Sequence, residues 1–401
     1  MPDTLPDPQG EDLSAIDSPR AILERLVAFP TVSRDSNLAL VDWVEAWLAA
    51  RGIAAVRVPN AEGTKASLYA HVGPRAGGGV LLSGHTDVVP VDGQDWSCDP
   101  WTVTERDGRL YGRGTADMKG FDALALWAMG EAARRGVARP LQIALSRDEE
   151  IGCVGAPEML AHMAEHGFPR AEAAIIGEPT GMACVTAHKS SLGLHVEVRG
   201  HEVHSSMPHK GVSAVMEAAR LIDWANRTNA EQAARPPSEV AALFEPPWSS
   251  LHVGMIEGGT AHNIMARACR FGLGLRTVPD EPLEAWHARI EAAAAEIARG
   301  MQAVHPDTGI ELRAGFLVPP LAPEPDGAAE RLVRALTGDN GTHAASYGTE
   351  AGQFQQAGYS AVVCGPGDIA QAHQADEFLA LEQLAAGQRF MEKLLDRLAA
   401  N

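Results

Sequence analysis

The chain has no basic surplus: 33 Lys and Arg stand against 52 Asp and Glu, a formal charge of −19. Phosphate binding needs a basic face, so composition argues against a nucleic-acid partner. The acidic excess bears on solubility more than on substrate, although a cation site would use part of it. Long apolar runs are also missing, since no stretch approaches the roughly 18 residues of a membrane helix. The opening residues, MPDTLPDPQGEDLSAIDSPR, have neither the basic nor the apolar region of a signal peptide. They read as a leader before the first helix, with the cytoplasm as the expected location. Cysteine is scarce: Cys98, Cys153, Cys184, Cys269 and Cys364 are odd in number and contain no CxxC pair. That pattern fits free thiols in a reducing compartment, not a disulfide frame or a cysteine zinc site.

What is present is ordinary globular material. The 401 residues are 45% hydrophobic and 21% charged, enough for two domains at roughly 100–200 residues each. Over 18–52, Ile22, Leu23, Leu26 and Val27 recur at helical spacing, Pro30 interrupts, and the pattern resumes over 38–48. From about 66 short apolar runs take over: SLYAHV, GVLLSGH, LQIALSRD and AAIIGEP, with helical stretches at 121–136 and 155–167. Such alternation predicts a mostly parallel sheet covered on both faces. Residues 190–300 differ, because LGLHVEVRG and CRFGLGLRTV alternate as half-buried antiparallel strands, with amphipathic helices over 213–226 and 283–300. After about 310 the α/β pattern returns, with a helix over 328–336 and the strand SAVVCGPG. The expected division is a first part of a catalytic domain over 1–188, an inserted α+β domain over 189–303, and the second part over 304–401.

Polar residues fall where these strands end. His85, Asp148 to Glu150, and Glu178 each follow or close an apolar run, and the carboxyl ends of parallel strands form the ligand crevice of open α/β sheets. In His85-Thr86-Asp87 a carboxylate two residues on suits a metal-bound imidazole held from behind; surface chemistry is the alternative. Asp117 sits in the Gly-rich run GRGTADMKG, where a plain loop acid is the alternative. Glu149 and Glu150 point in different directions, so one suits a metal and the other a free base, against a solvated charge run. Glu178 precedes Pro179 at a buried strand mouth, and His373 lies in a loop after the turn at 365–367. Two His and several carboxylates without thiolates suit zinc, cobalt or manganese. An acid shared between two such ions gives the separation of about 3.5–4 Å used by hydrolytic two-metal sites.

The runs SGHTDVVPVDGQDWSCDPW, LYGRGTADMKGF, DEEIGCVGAP, IGEPT, GHEVHSS, GGTAHNI and AHQADEF occur in this order. In them the chain, from about residue 20, resembles the metallopeptidase family of acetylornithine deacetylase, succinyl-diaminopimelate desuccinylase, aminoacylase and glutamate carboxypeptidase. The resemblance implies a zinc-peptidase-like catalytic domain and a ferredoxin-like lid and dimerisation domain, hence a homodimer. It implies two zinc ions, one held by His85, Asp117 and Glu178 and the other by Asp117, Glu150 and His373. Asp87 would orient His85, and Glu149 would be the general base. His204, in GHEVHSS, would be the oxyanion donor, in relatives often supplied by the partner subunit; a surface His beside His201 and His209 is the alternative. Asn263, Arg276 and the backbone N–H groups of Gly365 and Gly367 would grip the substrate carboxylate. Two positions depart from the family pattern: Ala266 stands where relatives often carry Pro, and Lys189-Ser190 lacks the usual Gly after Lys.

The phrases TADMKGF, DEEIGC, GEPT and SYGTEAGQF are most similar to acetylornithine deacetylases, which implies hydrolysis of N2-acetyl-L-ornithine. Glu350, in YGTEAG, reads either as an acid facing a cationic substrate side chain or as a helix-start acid beside Thr349. A broader N-acyl-amino-acid deacylase, a desuccinylase or a dipeptidase is the alternative activity. A metal-binding relative without catalysis is the alternative of a different class, and the presence of Glu149 with all five ligand candidates favours an enzyme.

Overall fold

The computed structural model describes residues 12–399; of the expected leader, positions 1–11 lie outside them. The chain opens with α1 (Pro19–Val27) and α2 (Leu38–Ala49), followed by β1 (Ala55–Pro59), β2 (Ala66–Val72) and β3 (Val80–His85). Ser18 starts α1 by accepting the Ala21 N–H, with Pro19 at the first helical position. A hairpin of β4 (Thr104–Arg106) and β5 (Arg109–Tyr111) leads to α3 (Lys119–Arg135), β6 (Leu141–Ser146), α4 (Gly155–Glu165), β7 (Ala173–Pro179) and β8 (Val185–His188). The middle of the chain supplies β9 (Ser191–Arg199), α5 (Ala214–Ala233), β10 (Ser250–Gly258), β11 (Ala268–Arg276), α6 (Leu283–Val304) and β12 (Gly309–Val318). It closes with α7 (Ala328–Thr337), β13 (His343–Ala345), α8 (Ala351–Gln356), β14 (Ser360–Gly365), β15 (Phe378–Ala380) and α9 (Leu381–Ala399).

Two compact units result: Met1–Thr186 with Pro323–His343 and Thr349–Asn401, and Ala187–Ala322 with Ala344–Gly348. The larger sheet has the order β1-β2-β6-β3-β7-β14-β8-β13. Its central strands β6, β3, β7 and β14 are parallel. Antiparallel partners join at the edges. Every residue of β3, β6 and β7 is buried, as strands covered on both faces require. Helix α3 is buried continuously from Lys119 to Met129, so it is a core helix, not an amphipathic one. Leu124, Leu126 and Met129 each add about 1.5–3 kcal/mol by burial there.

The second unit is built on an antiparallel sheet, β10-β11-β9-β12. Alternating burial along β9 and β11 sends Leu194, Val196, Leu273 and Leu275 into a core shared with Leu221 of α5 and Ile290 of α6. The insert expected to end at 303 runs instead to Ala322, because β12 pairs with β9 from Gly309↔Arg199 to Val318↔Ser191. A register shift between Ala314 and Phe316 breaks the alternation of β12, which hides that strand from a reading of its pattern. Among the described residues no helix is long and apolar enough to cross a membrane, and all five cysteines are free.

Candidate metal centre

Three parallel strands deliver the first part of the site. His85 ends β3 and pairs in register with Ser146 at the end of β6, so the Glu149-Glu150 turn follows at the same edge. Glu178 lies two residues beyond Ile176, the register partner of Ser83, level with His85. The second part comes from the three-stranded sheet β15-β5-β4. There β15 pairs antiparallel with β5, Phe378↔Tyr111, so the loop entering β15 lies beside the loop leaving β5. The first carries His373 and Glu377, the second Arg113 and Asp117.

These elements converge. His85 Nε2 is 3.1 Å from Asp117 Oδ1 and 3.8 Å from Glu178 Oε1. His373 Nε2 is 3.3 Å from Asp117 Oδ2 and 3.0 Å from Glu150 Oε2. Asp117 therefore turns one carboxylate oxygen toward each imidazole. His85 Nδ1 donates to the main-chain carbonyl of Asp87 at 2.9 Å, which fixes the ring with Nε2 directed at Asp117. The Asp87 carboxylate, expected behind His85, stands 3.8 Å from that ring. It accepts instead from the N–H groups of Glu149 at 3.1 Å and Glu150 at 3.3 Å, and from Ser33 Oγ at 2.7 Å. Its carboxylate thus holds the turn that carries both glutamates. Cys153 Sγ donates to Glu149 Oε1 at 3.1 Å.

Burial pushes the carboxyls of Glu178, Glu150 and Glu149 upward, Glu150 to about 8, and neighbouring Asp117 adds to the effect. Burial opposes charge on His85, yet the Asp117 hydrogen bond and surrounding acids raise it well above its ordinary value. Hydrogen bonds with Asp117 and Glu150 lift His373 to about 10. Burial would raise Asp117, but the two imidazoles pull it below the usual carboxylate range. The three glutamates and both imidazoles shift upward together because the buried cluster is short of positive charge. Glu150 Oε1 is buried without a hydrogen-bond partner. Ligand atoms of His85, Asp117 and Glu150, and of His85, Glu149 and Glu178, lie within 4.8 Å of one another. The donor set fits divalent cations of the zinc, cobalt or manganese kind.

The remaining expected residues fall in different places. His204, Asn263 and Arg276 belong to the second unit. A bridge between His204 and Ile264 and the Ser205 N–H bond to the Asn263 carbonyl at 2.9 Å bring their segments together. The N–H groups of Gly365 and Gly367, expected to bind a carboxylate, are engaged by Thr180 Oγ1 at 3.2 Å and Gln383 Oε1 at 3.3 Å. Glycine is needed at 365 because a Cβ would meet the Gly177 carbonyl at 2.0 Å, and at 367 because φ is +89°.

Glu350 immediately precedes α8 without capping it through its side chain; Thr349 Oγ1 accepts the Ala351 N–H instead. Its Oε1 is buried and unpartnered, and burial, reinforced by Glu149, pushes its carboxyl from 4.5 up to about 8. An acid raised in the folded state withdraws stability as pH climbs from the unfolded to the folded value. Glu350→Gln removes that titration. The unfolding midpoint of the metal-free variant should therefore rise relative to wild type across pH 4.5 to 8. A gap that stays constant over this window counts against a buried, titrating Glu350.

Sequence reasoning passed over the groups that hold the loops carrying Asp117, Glu149 and Glu150. Glu377 Oε1 accepts the N–H groups of Ala116 at 2.9 Å and Asp117 at 3.1 Å, while Oε2 takes Arg113 Nη1 at 2.6 Å. Both members of this ion pair are 1% exposed. Asp148 is held by Lys65 and Arg147, one on each oxygen. The available signal was position: Glu377 and Arg113 lie in AHQADEF and LYGRGTADMKGF.

Comparison with known proteins places these motifs among relatives. The description "Peptidase family M20/M25/M40" matches residues 81–397. Acetylornithine deacetylase from Myxococcus xanthus is 37% identical over 377 residues, covering 91% of this chain and 93% of its own length. The acetylornithine deacetylase of Pasteurella multocida is 32% identical over 385 residues, with coverages of 92% and 95%. An M20 family metallo-carboxypeptidase from Sulfolobus solfataricus shares the fold, with TM-score 0.75 at 16% identity over 96% of this chain and 99% of that one.

Proposed function

The chain belongs to peptidase family M20/M25/M40, and on that footing we propose that its metal-dependent amide hydrolysis removes the acyl group of an N-acyl amino acid, N2-acetyl-L-ornithine. The observation that carries the chemistry is Asp117, whose two oxygens face His85 and His373 with Glu149 close by. The substrate is supported by the curated relatives named for that activity.

In this reading His85, Asp117 and Glu178 would hold one cation, and Asp117, Glu150 and His373 the other. When bound, two divalent ions, zinc with cobalt or manganese as substitutes, lower the pKa of water and polarise a carbonyl oxygen. Glu149 moves the proton. Its Oε1 is taken by the Cys153 thiol at 3.1 Å, so Oε2 receives the proton of the attacking water and returns it to the departing nitrogen. Burial favours the protonated form of Glu149, which suits an acid that must hold the proton between those steps. His204 accepts the Ser206 N–H on Nδ1 at 3.2 Å, which puts its own proton on Nε2 as a donor to an oxyanion. Arg276, with its planar fork, and Asn263 bind the substrate carboxylate. A homodimer through the second unit belongs to the same proposal, supported by Met255 and Ile256, exposed on the edge strand β10.

A substrate panel on metal-loaded protein tests the reading: N2-acetylornithine, N-succinyl-diaminopimelate, N-acetylmethionine and several dipeptides. The expected result is the highest kcat/KM on N2-acetylornithine, by about tenfold or more, since one cationic side chain matched or missed is worth on the order of 1.4 kcal/mol or above. A dipeptide or succinyl substrate in first place would replace the ornithine assignment.

A further inference from the structure

The two imidazoles of the centre are held very differently. His85 ends a buried strand and is 1% exposed, whereas the His373 side chain is 53% exposed on a loop. His373 also has φ +64°, a left-handed conformation that only glycine adopts freely. Such a residue stays in place only if its surroundings hold it.

Gln94, half-buried between β3 and β4, supplies that hold. Its Nε2 donates to the His373 carbonyl at 2.9 Å. Its Oε1 accepts from Trp96 Nε1 at 3.1 Å and from Arg113 Nη2 at 2.5 Å. The amide orientation follows from these partners, because Trp and Arg only donate and a carbonyl only accepts. Arg113 is paired with Glu377, which holds the Asp117 backbone. Gln94 therefore links the His373 loop to the loop of the bridging acid through one carboxamide. A second tie, the Ser97 N–H to Asp376 Oδ1 at 2.8 Å, secures the loop three residues further on.

We propose that Gln94 is a positioning residue that fixes His373 against Asp117 and so sets the affinity for the cation these two share with Glu150. The inference rests on the two-cation reading above. Groups behind the ligands of a metal typically change its affinity by about 10–100-fold when removed.

The test is calorimetric titration of chelator-stripped, full-length protein with zinc. Wild type, Gln94→Ala, Gln94→Glu and, as a marker, His373→Ala are compared. Gln94→Glu keeps an oxygen for Trp96 and Arg113 but cannot donate to His373. The expected result is that both Gln94 variants lose about 10–100-fold in the one equivalent that His373→Ala abolishes. The other equivalent and the metal-free melting midpoint should stay at wild-type values. Unchanged affinities in both variants overturn the proposal. So does a loss confined to Gln94→Ala, which would assign the effect to Trp96 and Arg113. Equal weakening of both equivalents with a lowered melting midpoint would show general destabilisation and overturn it too. A wild type that takes up fewer than two equivalents would instead remove the two-cation reading on which the proposal stands.

Discussion

Glu149→Ala should keep the metal content of the protein and lower kcat/KM by about 10²–10⁴-fold, the usual contribution of a placed general base. The backbone of the turn is secured independently of this side chain, since the Asp87 carboxylate accepts the N–H groups of residues 149 and 150. Truncation leaves Glu150 and its contact with His373 in place. It deprives the Cys153 thiol of its acceptor, a small loss because thiols are weak donors. Metal analysis and steady-state kinetics on one preparation decide the matter. Because Glu149 also lies within ligand distance of His85 and Glu178, loss of an equivalent of metal in the variant would make it a ligand and remove it as the base. Retained turnover would remove it from both roles.

Glu377→Ala should cost about 3–5 kcal/mol of folding stability, the penalty for breaking a buried ion pair from one side. Arg113 would be left charged at 1% exposure, and the N–H groups of Ala116 and Asp117 would lose their shared acceptor. Burial raises the Glu377 carboxyl even against Arg113, so the pair is expensive to desolvate. The loss should therefore far exceed the fraction of a kcal/mol expected for the exposed pair Arg227–Asp223. Urea unfolding of the metal-free chain measures it, with the double variant Arg113→Met/Glu377→Leu as a control that should recover much of the loss. A single variant within about 1 kcal/mol of wild type would show that the pair is not what holds this loop.

The alternation of buried strands and helices was legible in residues 66–180 because a strand covered on both faces must be apolar throughout, and β3, β6 and β7 are. Helix α3 was legible as a helix, but its burial on every side follows from its neighbours. Strand β12 was not legible, because its bulge and its exposed Phe316 and Leu317 break the period-two signal. The intramolecular partners of the Gly365 and Gly367 N–H groups were not legible for a related reason. A Gly-Pro-Gly string shows that the backbone needs freedom, whereas the partners of its N–H groups, Thr180 and Gln383, lie 185 and 16 residues away.

The sequence by itself determined the chemical inventory: two imidazoles, a run of acids at strand ends, no thiolate partners, and motif order enough to name a family. Those are properties of residue type and spacing, which local rules govern. Only the tertiary structure decided how the inventory is held. Asp117 turns one oxygen to each imidazole because β15 pairs with β5 and sets two distant loops side by side. Asp87 serves the Glu149-Glu150 turn more directly than it serves His85. Gln94, Arg113 and Glu377 hold the His373 and Asp117 loops across as many as 279 residues of sequence. Hydrogen bonds and charges act over a few ångströms, and only folding brings such groups that close.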